Sequence, residues 1–232
     1  MSGLPESKLG TKAHWDSMYE LEVSNFKEFK DEGEIWFGEE SEERIVQWME
    51  DYVSNDQRTS ANHAYRVLDL GTGNGHLILR IAEEADTLLP QPYELLGVDY
   101  SEKAVELAKQ LAEAHDFQKQ VKFEQYDIIK DLRLCDRTWD LILDKGTFDA
   151  ISLSSDKLDG VPLNQVYVDR IHEMLSPTGV FLITSCNWTL EELSERFLNK
   201  GFRIHSTVPV PVFEFQGSKG SSTTVVAFEL AN

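Results

Sequence analysis

The sequence predicts an α/β protein whose doubly wound, mostly parallel sheet has seven strands and an antiparallel strand at its C-terminus, and three observations support that prediction. Strand-length apolar runs alternate with amphipathic helical stretches from Val67 onward, and the chain finishes in a hairpin pattern. The first run, with Val67, Leu68 and Leu70, is apolar on both faces, as a strand covered by helices on each side must be. It passes directly into Gly71-Thr72-Gly73-Asn74-Gly75 and then into a helical pattern with Leu77, Ile78, Ile81 and Ala82 on one face. Glycine suits such a turn because it accepts positive φ and, lacking a Cβ, lets a ligand come close to the backbone.

Taken in order, Met1 to about Gly10 is a polar tail, and Thr11 to Phe29 is a weakly periodic helix. Glu32-Gly33-Glu34 breaks that pattern and introduces Ile35-Trp36-Phe37-Gly38-Glu39-Glu40. Ser41 then reads as the N-cap of a helix with Ile45, Trp48, Met49 and Tyr52 facing inward, and Glu42 and Glu43 complement its positive end. Asn55 to Ala64 is a polar connection into the first strand. After the glycine turn and its helix, Pro90-Gln91-Pro92 turns the chain into strand Tyr93 to Val98, which ends at Asp99. Ser101 caps the next helix, with Ala104, Ala108, Leu111 and Ala112 inward. Val121 to Tyr126 is a third strand ending at Asp127, and Trp139 to Leu143 a fourth ending at Asp144. Three successive strands thus end in a carboxylate.

The turn Lys145-Gly146-Thr147 leads to a loop from Ser152 to Leu163 and then to a helix with Tyr167, Ile171, Met174 and Leu175 inward. Pro177-Thr178-Gly179 turns into strand Val180 to Thr184, which ends at Ser185-Cys186-Asn187-Trp188. Thr189 and Glu192 have capping-box spacing and start a helix that stops near Gly201. Phe202 to Pro211 and Thr223 to Leu230 complete the sheet, joined through the Gly/Ser-rich Gly217 to Ser222.

A length of 232 residues with 41% hydrophobic side chains suits one sizeable core. The formal charge of −19 would repel a nucleic-acid backbone and favours a basic protein partner, although acidic solubility alone also accounts for it. Cys135 and Cys186 fit no ligand spacing and read as reduced thiols, which points to a cytoplasmic or nuclear setting. No run is long and apolar enough for a membrane span or a signal peptide, so no membrane association is expected, nor any metal. Asn187-Trp188-Thr189 matches the glycosylation sequon by chance on this reading.

A strand, a glycine turn, a helix and an acid closing the next strand serve both dinucleotide dehydrogenases and adenosylmethionine methyltransferases, where the acid receives ribose hydroxyls. The dinucleotide pattern needs glycine at position 76, where this chain has His76, and no Lys-Ser/Thr pair follows the glycines to suggest a triphosphate loop. Asp69, two residues before Gly71, and Asp127, after the third strand, add two further matches to the methyltransferase arrangement. On these residues the chain resembles the class I, seven-stranded methyltransferases from Ile35 to Leu230. The resemblance implies S-adenosyl-L-methionine as cofactor. Gly71, Gly73 and Gly75 would support its methionine part, Asp99 its ribose and Asp127 its adenine amino group, with Trp36, Asp69, Tyr100, Ile128 and Asp144 also in the site. It implies a division into an N-terminal tail with lid helices over 1–60 and a single methyltransferase domain over 61–232.

Three blocks narrow the resemblance: Trp36-Phe37-Gly38-Glu39-Glu40, Asp144-Lys145-Gly146-Thr147-Phe148-Asp149-Ala150, and Thr184-Ser185-Cys186-Asn187-Trp188-Thr189. Their combination is similar to the protein-lysine methyltransferases that modify translation elongation factor 1-alpha, which implies that factor as partner; a monomer is the expected state. Such an enzyme must align a neutral amine and exclude water. Asp144 is expected to orient the amine, with Asn187 and Trp188 shaping its channel. The bland readings stand beside these: Asp144 as a brace of the turn, Phe148 and Trp188 as core, Asp149 as a helix cap, and Arg44 paired with Glu40. Methylation of a small molecule, or a non-catalytic cofactor-binding module, are the competing functions.

Overall fold

A computed structural model describes residues 4–55, 64–90, 92–215, 218–221 and 223–231. Its seven main strands lie side by side in the order Val121–Gln125, Tyr93–Asp99, Tyr65–Leu70, Trp139–Lys145, Leu175–Ser185, Thr224–Leu230 and Phe202–Thr207. The chain divides into two compact units, Thr11–Asp131 and Met1–Gly10 with Leu132–Asn232.

The first unit holds α1 (Lys12–Phe29), α2 (Glu39–Asn55), β1 (Tyr65–Leu70), α3 (His76–Leu88), β2 (Tyr93–Asp99), α4 (Glu102–Ala114) and β3 (Val121–Gln125). β1 and β2 run parallel with Leu70 opposite Val98, and β2 and β3 run parallel with Asp99 opposite Gln125. Val67, Leu68, Ile78, Ile81 and Leu107 are fully buried between strands and helices, as their apolar periodicity requires. α1 buries Tyr19, Glu22, Val23 and Phe26, an i, i+3, i+4, i+7 stripe, and packs along α4. Each large apolar side chain in that stripe contributes roughly 1.5–3 kcal/mol of burial. The helix ends where Lys30 adopts positive φ and donates its amide to the Phe26 carbonyl.

Two capping expectations fail here. α2 starts at Glu39, so Ser41 lies inside its first turn, where it is buried and its hydroxyl has no hydrogen-bond partner among the described residues. Positive φ at Phe37 and Gly38 turns the chain into the helix three residues earlier than expected. Ser101 does stand at the N-cap of α4, but its hydroxyl caps nothing. The Asp99 carboxylate takes the Ser101 amide instead, at 2.8 Å.

The second unit contains β4 (Trp139–Lys145), α5 (Thr147–Ser152), β5 (Lys157–Leu158), β6 (Val161–Pro162), α6 (Leu163–Met174), β7 (Leu175–Ser185), α7 (Leu190–Leu198), β8 (Phe202–Thr207), β9 (Val212–Phe215), β10 (Ser218–Ser221) and β11 (Thr224–Leu230). β4 and β7 are parallel, whereas β11 runs antiparallel to both β7 and β8. Its core is aromatic: Phe197 stacks on Phe228 at 4.7 Å and meets Phe181 and Phe202 at 5.4 Å. α7 carries the expected capping box, with Thr189 and Glu192 exchanging side-chain and backbone hydrogen bonds.

Three features differ from expectation. The stretch read as turn and loop forms α5 and the small β5–β6 ladder. Residues 176–179 bulge out of β7 rather than preceding it, and an added Cβ at Gly179 would lie 2.6 Å from the Trp139 carbonyl oxygen. A β9–β10 hairpin forms between the last two sheet strands. Most of the 55–64 connection, Gln91, and residues 217 and 222 of the Gly/Ser link lie outside the described residues.

Candidate active site

The first unit brings its predicted ligand residues to the carboxyl ends of β1 and β2. Gly71, Gly73 and Gly75 all have positive φ. At Gly73 the requirement is double, since φ is +58° and a Cβ would stand 2.4 Å from the Tyr19 hydroxyl. Asp69 Oδ2 accepts the Thr72 hydroxyl at 2.6 Å and so braces the turn from below. Asp99 Oδ2 accepts the Gly73 amide at 3.1 Å while its Oδ1 accepts Ser101. Burial pushes the Asp99 carboxyl up to about 6, against the opposing effect of those two amides. Asp99 therefore ties the glycine turn to the start of α4.

Tyr19 is the residue that sequence reasoning missed. Its phenol is held well above its ordinary value, by burial first and by Asp99 second, with Asp69 also contributing. The signal was present in the 19-22-23-26 stripe of a helix judged only weakly periodic. Trp15 lies between Tyr19 and Trp36, with ring centroids at 6.2 and 5.1 Å, so α1 presents aromatic surface to the half-buried Trp36 segment. Lys12 pairs with Asp16 at 2.7 Å and sits over the Tyr100 ring at 5.4 Å. Asp127, half-buried, accepts the amides of Ile129 and Lys130 at 3.0 and 3.3 Å, and Ile128 beside it is half-buried too. Arg44 makes the surface pairing with Glu40, at 3.8 Å.

The second unit places its predicted residues at the ends of β4 and β7. Asp144 is buried and accepts the Thr147 amide at 2.8 Å, the Phe148 amide at 2.9 Å and the Tyr167 hydroxyl. It braces the N-terminus of α5, where Gly146 takes positive φ. Burial, with a smaller push from Asp149, raises the Asp144 carboxyl to about 7. Asp149 is raised as well, chiefly by burial, while it holds the Ser185 hydroxyl at 2.6 Å and the Cys186 amide at 2.7 Å. Those bonds shape the chain after β7 and leave the Asn187 side chain exposed. Trp188 is buried, with Arg196 over its ring at 3.9 Å and Phe148 at 6.0 Å.

A family model described as a methyltransferase domain matches residues 61–220. The chain is 68% identical to the protein-lysine N-methyltransferase efm4 of Schizosaccharomyces pombe, over 99% of this chain and 97% of that protein. It is 37% identical to the human EEF1A lysine methyltransferase 2, over 98% of this chain and 89% of that one. The chain belongs to the EEF1A lysine methyltransferase family. Among solved structures, the [4+2]-cyclase SpnF superposes with a TM-score of 0.66 at 15% identity, covering 99% of each chain. That likeness concerns the fold alone, on which unrelated chemistries are built.

The methyltransferase takes S-adenosyl-L-methionine as its cofactor, and the first unit's residues fit it. The glycine turn keeps bare backbone beside a carboxylate, and the buried Ser101 hydroxyl next to it has no hydrogen-bond partner among the described residues. A ribose needs such acceptors, and a methionine portion needs such a bare turn.

Proposed function

We propose that this methyltransferase transfers a methyl group from S-adenosylmethionine to the side-chain amine of a lysine in translation elongation factor 1-alpha. The observation that carries the reading is the 68% identity, along nearly the whole chain, to a protein-lysine N-methyltransferase. The cofactor supplies a methyl group already made electrophilic by a sulfonium centre. What remains for the protein is to bind, to orient the acceptor and to exclude water.

In this reading Asp99 receives the ribose hydroxyls, Asp127 and Ile128 border the adenine, and Gly71 to Gly75 flank the methionine portion. Asp144, enclosed by three donors, is a positioning residue: it fixes the Lys145-Gly146 turn and contributes, with Asp149, negative potential that favours an approaching cation. The exposed Asn187 side chain is the group that meets the lysine, and the buried Trp188 next to it in the chain shapes the channel wall. A free lysine amine, with a pKa of roughly 10.4, must lose its proton before attack. The cytoplasm is the proposed working compartment, in keeping with two free cysteines, whose thiols burial holds near 11 and 12.

Incubation with isotope-labelled cofactor and elongation factor 1-alpha, wild type and with lysines replaced one at a time, tests the reading. Label is expected in the factor and is lost with one replacement. No transfer under conditions where cofactor binds refutes the substrate. With a net charge of −19, association with the basic factor should slow as ionic strength rises.

A further inference from the structure

We infer that Asn74 and His76 form a latch that holds residues 32–38, the segment carrying Trp36, against the glycine turn, and that this latch sets the enzyme's grip on its cofactor. The inference rests on the cofactor assignment above and adds positioning residues to it. Asn74 Nδ2 donates to the carbonyl of Glu32 at 3.0 Å and to that of Glu34 at 3.4 Å, while its Oδ1 accepts the His76 amide at 3.2 Å. Only a short side-chain amide offers two donors and an acceptor across so small a span. Asn74 is itself buried, so these bonds form where water does not compete freely.

Two residues on, His76 Nδ1 lies 2.6 Å from Oε2 of Glu42, a buried carboxylate on α2. A carboxylate in that position needs a hydrogen-bonding partner, and His76 stands at the positive end of α3. The two bonding groups flank Gly75, so they move with the glycine turn. From the other side, Glu22 of α1 accepts the Glu34 amide at 3.1 Å and fills the space a Cβ at Gly33 would need. The segment is therefore held by α1, by the glycine turn, and through the helix that follows it. Positive φ at Gly33, Phe37 and Gly38 turns the backbone near both of its ends. Breaking the latch lets the segment part from the turn, and remaking it closes Trp36 over the site. Position 76, where a dinucleotide loop carries glycine, is where this chain joins its cofactor turn to its lid.

The test uses the full-length enzyme. Cofactor Kd is measured by calorimetry, KM and kcat at saturating elongation factor, and amide hydrogen exchange across residues 35–38, for wild type, Asn74→Ala, His76→Ala and Glu42→Gln. Asn74→Ala should weaken cofactor binding about tenfold, equivalent to roughly 1.4 kcal/mol. Its effect should fall on KM more than on kcat, with faster exchange over 35–38 and unchanged exchange in β2. His76→Ala should move the same quantities in the same direction, and Glu42→Gln, which keeps an acceptor, should stay within about threefold of wild type. Unchanged affinity in both alanine variants would overturn the latch, as would faster exchange spread through β1 and α3, the mark of a residue that only stabilises the fold. A wild-type enzyme that binds no cofactor would overturn the assignment beneath it, a result distinct from either.

Discussion

Replacing Tyr167 with Phe removes one hydroxyl from the interior, and the structure gives both the size and the pH dependence of its effect. Tyr167 is fully buried and donates to Oδ2 of Asp144, so no water replaces the lost bond. The Asp144 carboxyl is raised to about 7, chiefly because burial penalises its ionised form. Three donors offset that cost, and Tyr167 opposes the rise most strongly of them. A bond to a charged acceptor contributes about 1.5–3 kcal/mol and one to a neutral acceptor about 0.5–1.5. Tyr167→Phe should therefore cost about 2 kcal/mol at pH 8.5, where Asp144 is ionised, and about 1 kcal/mol at pH 5.5, where it is protonated.

The sign follows from linkage. A folded pKa above the unfolded one means that the native state holds more protons between roughly pH 4 and 7, so acidification through that window adds stability from this group. The variant raises the folded pKa further and recovers stability sooner as pH falls. Urea denaturation followed by tryptophan fluorescence at the two pH values measures the difference. For a chain of this length each kcal/mol corresponds to about 2–4 °C in Tm. A loss that is equal at both pH values, or larger in acid, would show that Tyr167 does not act through the Asp144 charge.

Gly73→Ala should weaken cofactor binding more than tenfold, because it strains a positive φ and presses a Cβ on the Tyr19 hydroxyl; adding Tyr19→Phe should restore part of the loss in calorimetry, and no recovery would clear Tyr19 as the obstacle. Cofactor affinity should fall as pH drops through about 6, where Asp99 gains a proton and gives up acceptor capacity for the ribose; Asp99→Asn should bind weakly with a flat profile from pH 5 to 8, and a sloping one would place the titration elsewhere.

The fold was legible because its signals are local. Alternating apolar runs, the glycine turn and the Thr189–Glu192 capping box each lie within a few residues, and each stands where it was expected. α5 was not legible, since six residues carry too little periodicity to distinguish helix from turn. What stabilises it is Asp144, which reaches forward to the Thr147 and Phe148 amides from the end of a strand. Ser41 and Ser101 misled for a related reason. Both have N-cap chemistry, yet backbone turns at Phe37 and Gly38 in one case, and the Asp99 carboxylate in the other, had already set the helix start.

By itself the sequence determined the fold class, the glycine turn after the first strand and the acids at the strand ends, because apolar spacing and the residues that close each strand are local signals. Only the tertiary structure decided what those residues touch. It set Tyr19 against Gly73, enclosed Asp144 beneath Tyr167, left Asn187 as the exposed side chain after β7, and joined Asn74 and His76 to groups 34 to 42 residues away. The reason is physical: a carboxylate or amide taken out of water must find partners wherever packing brings donors and acceptors together, and packing is not local.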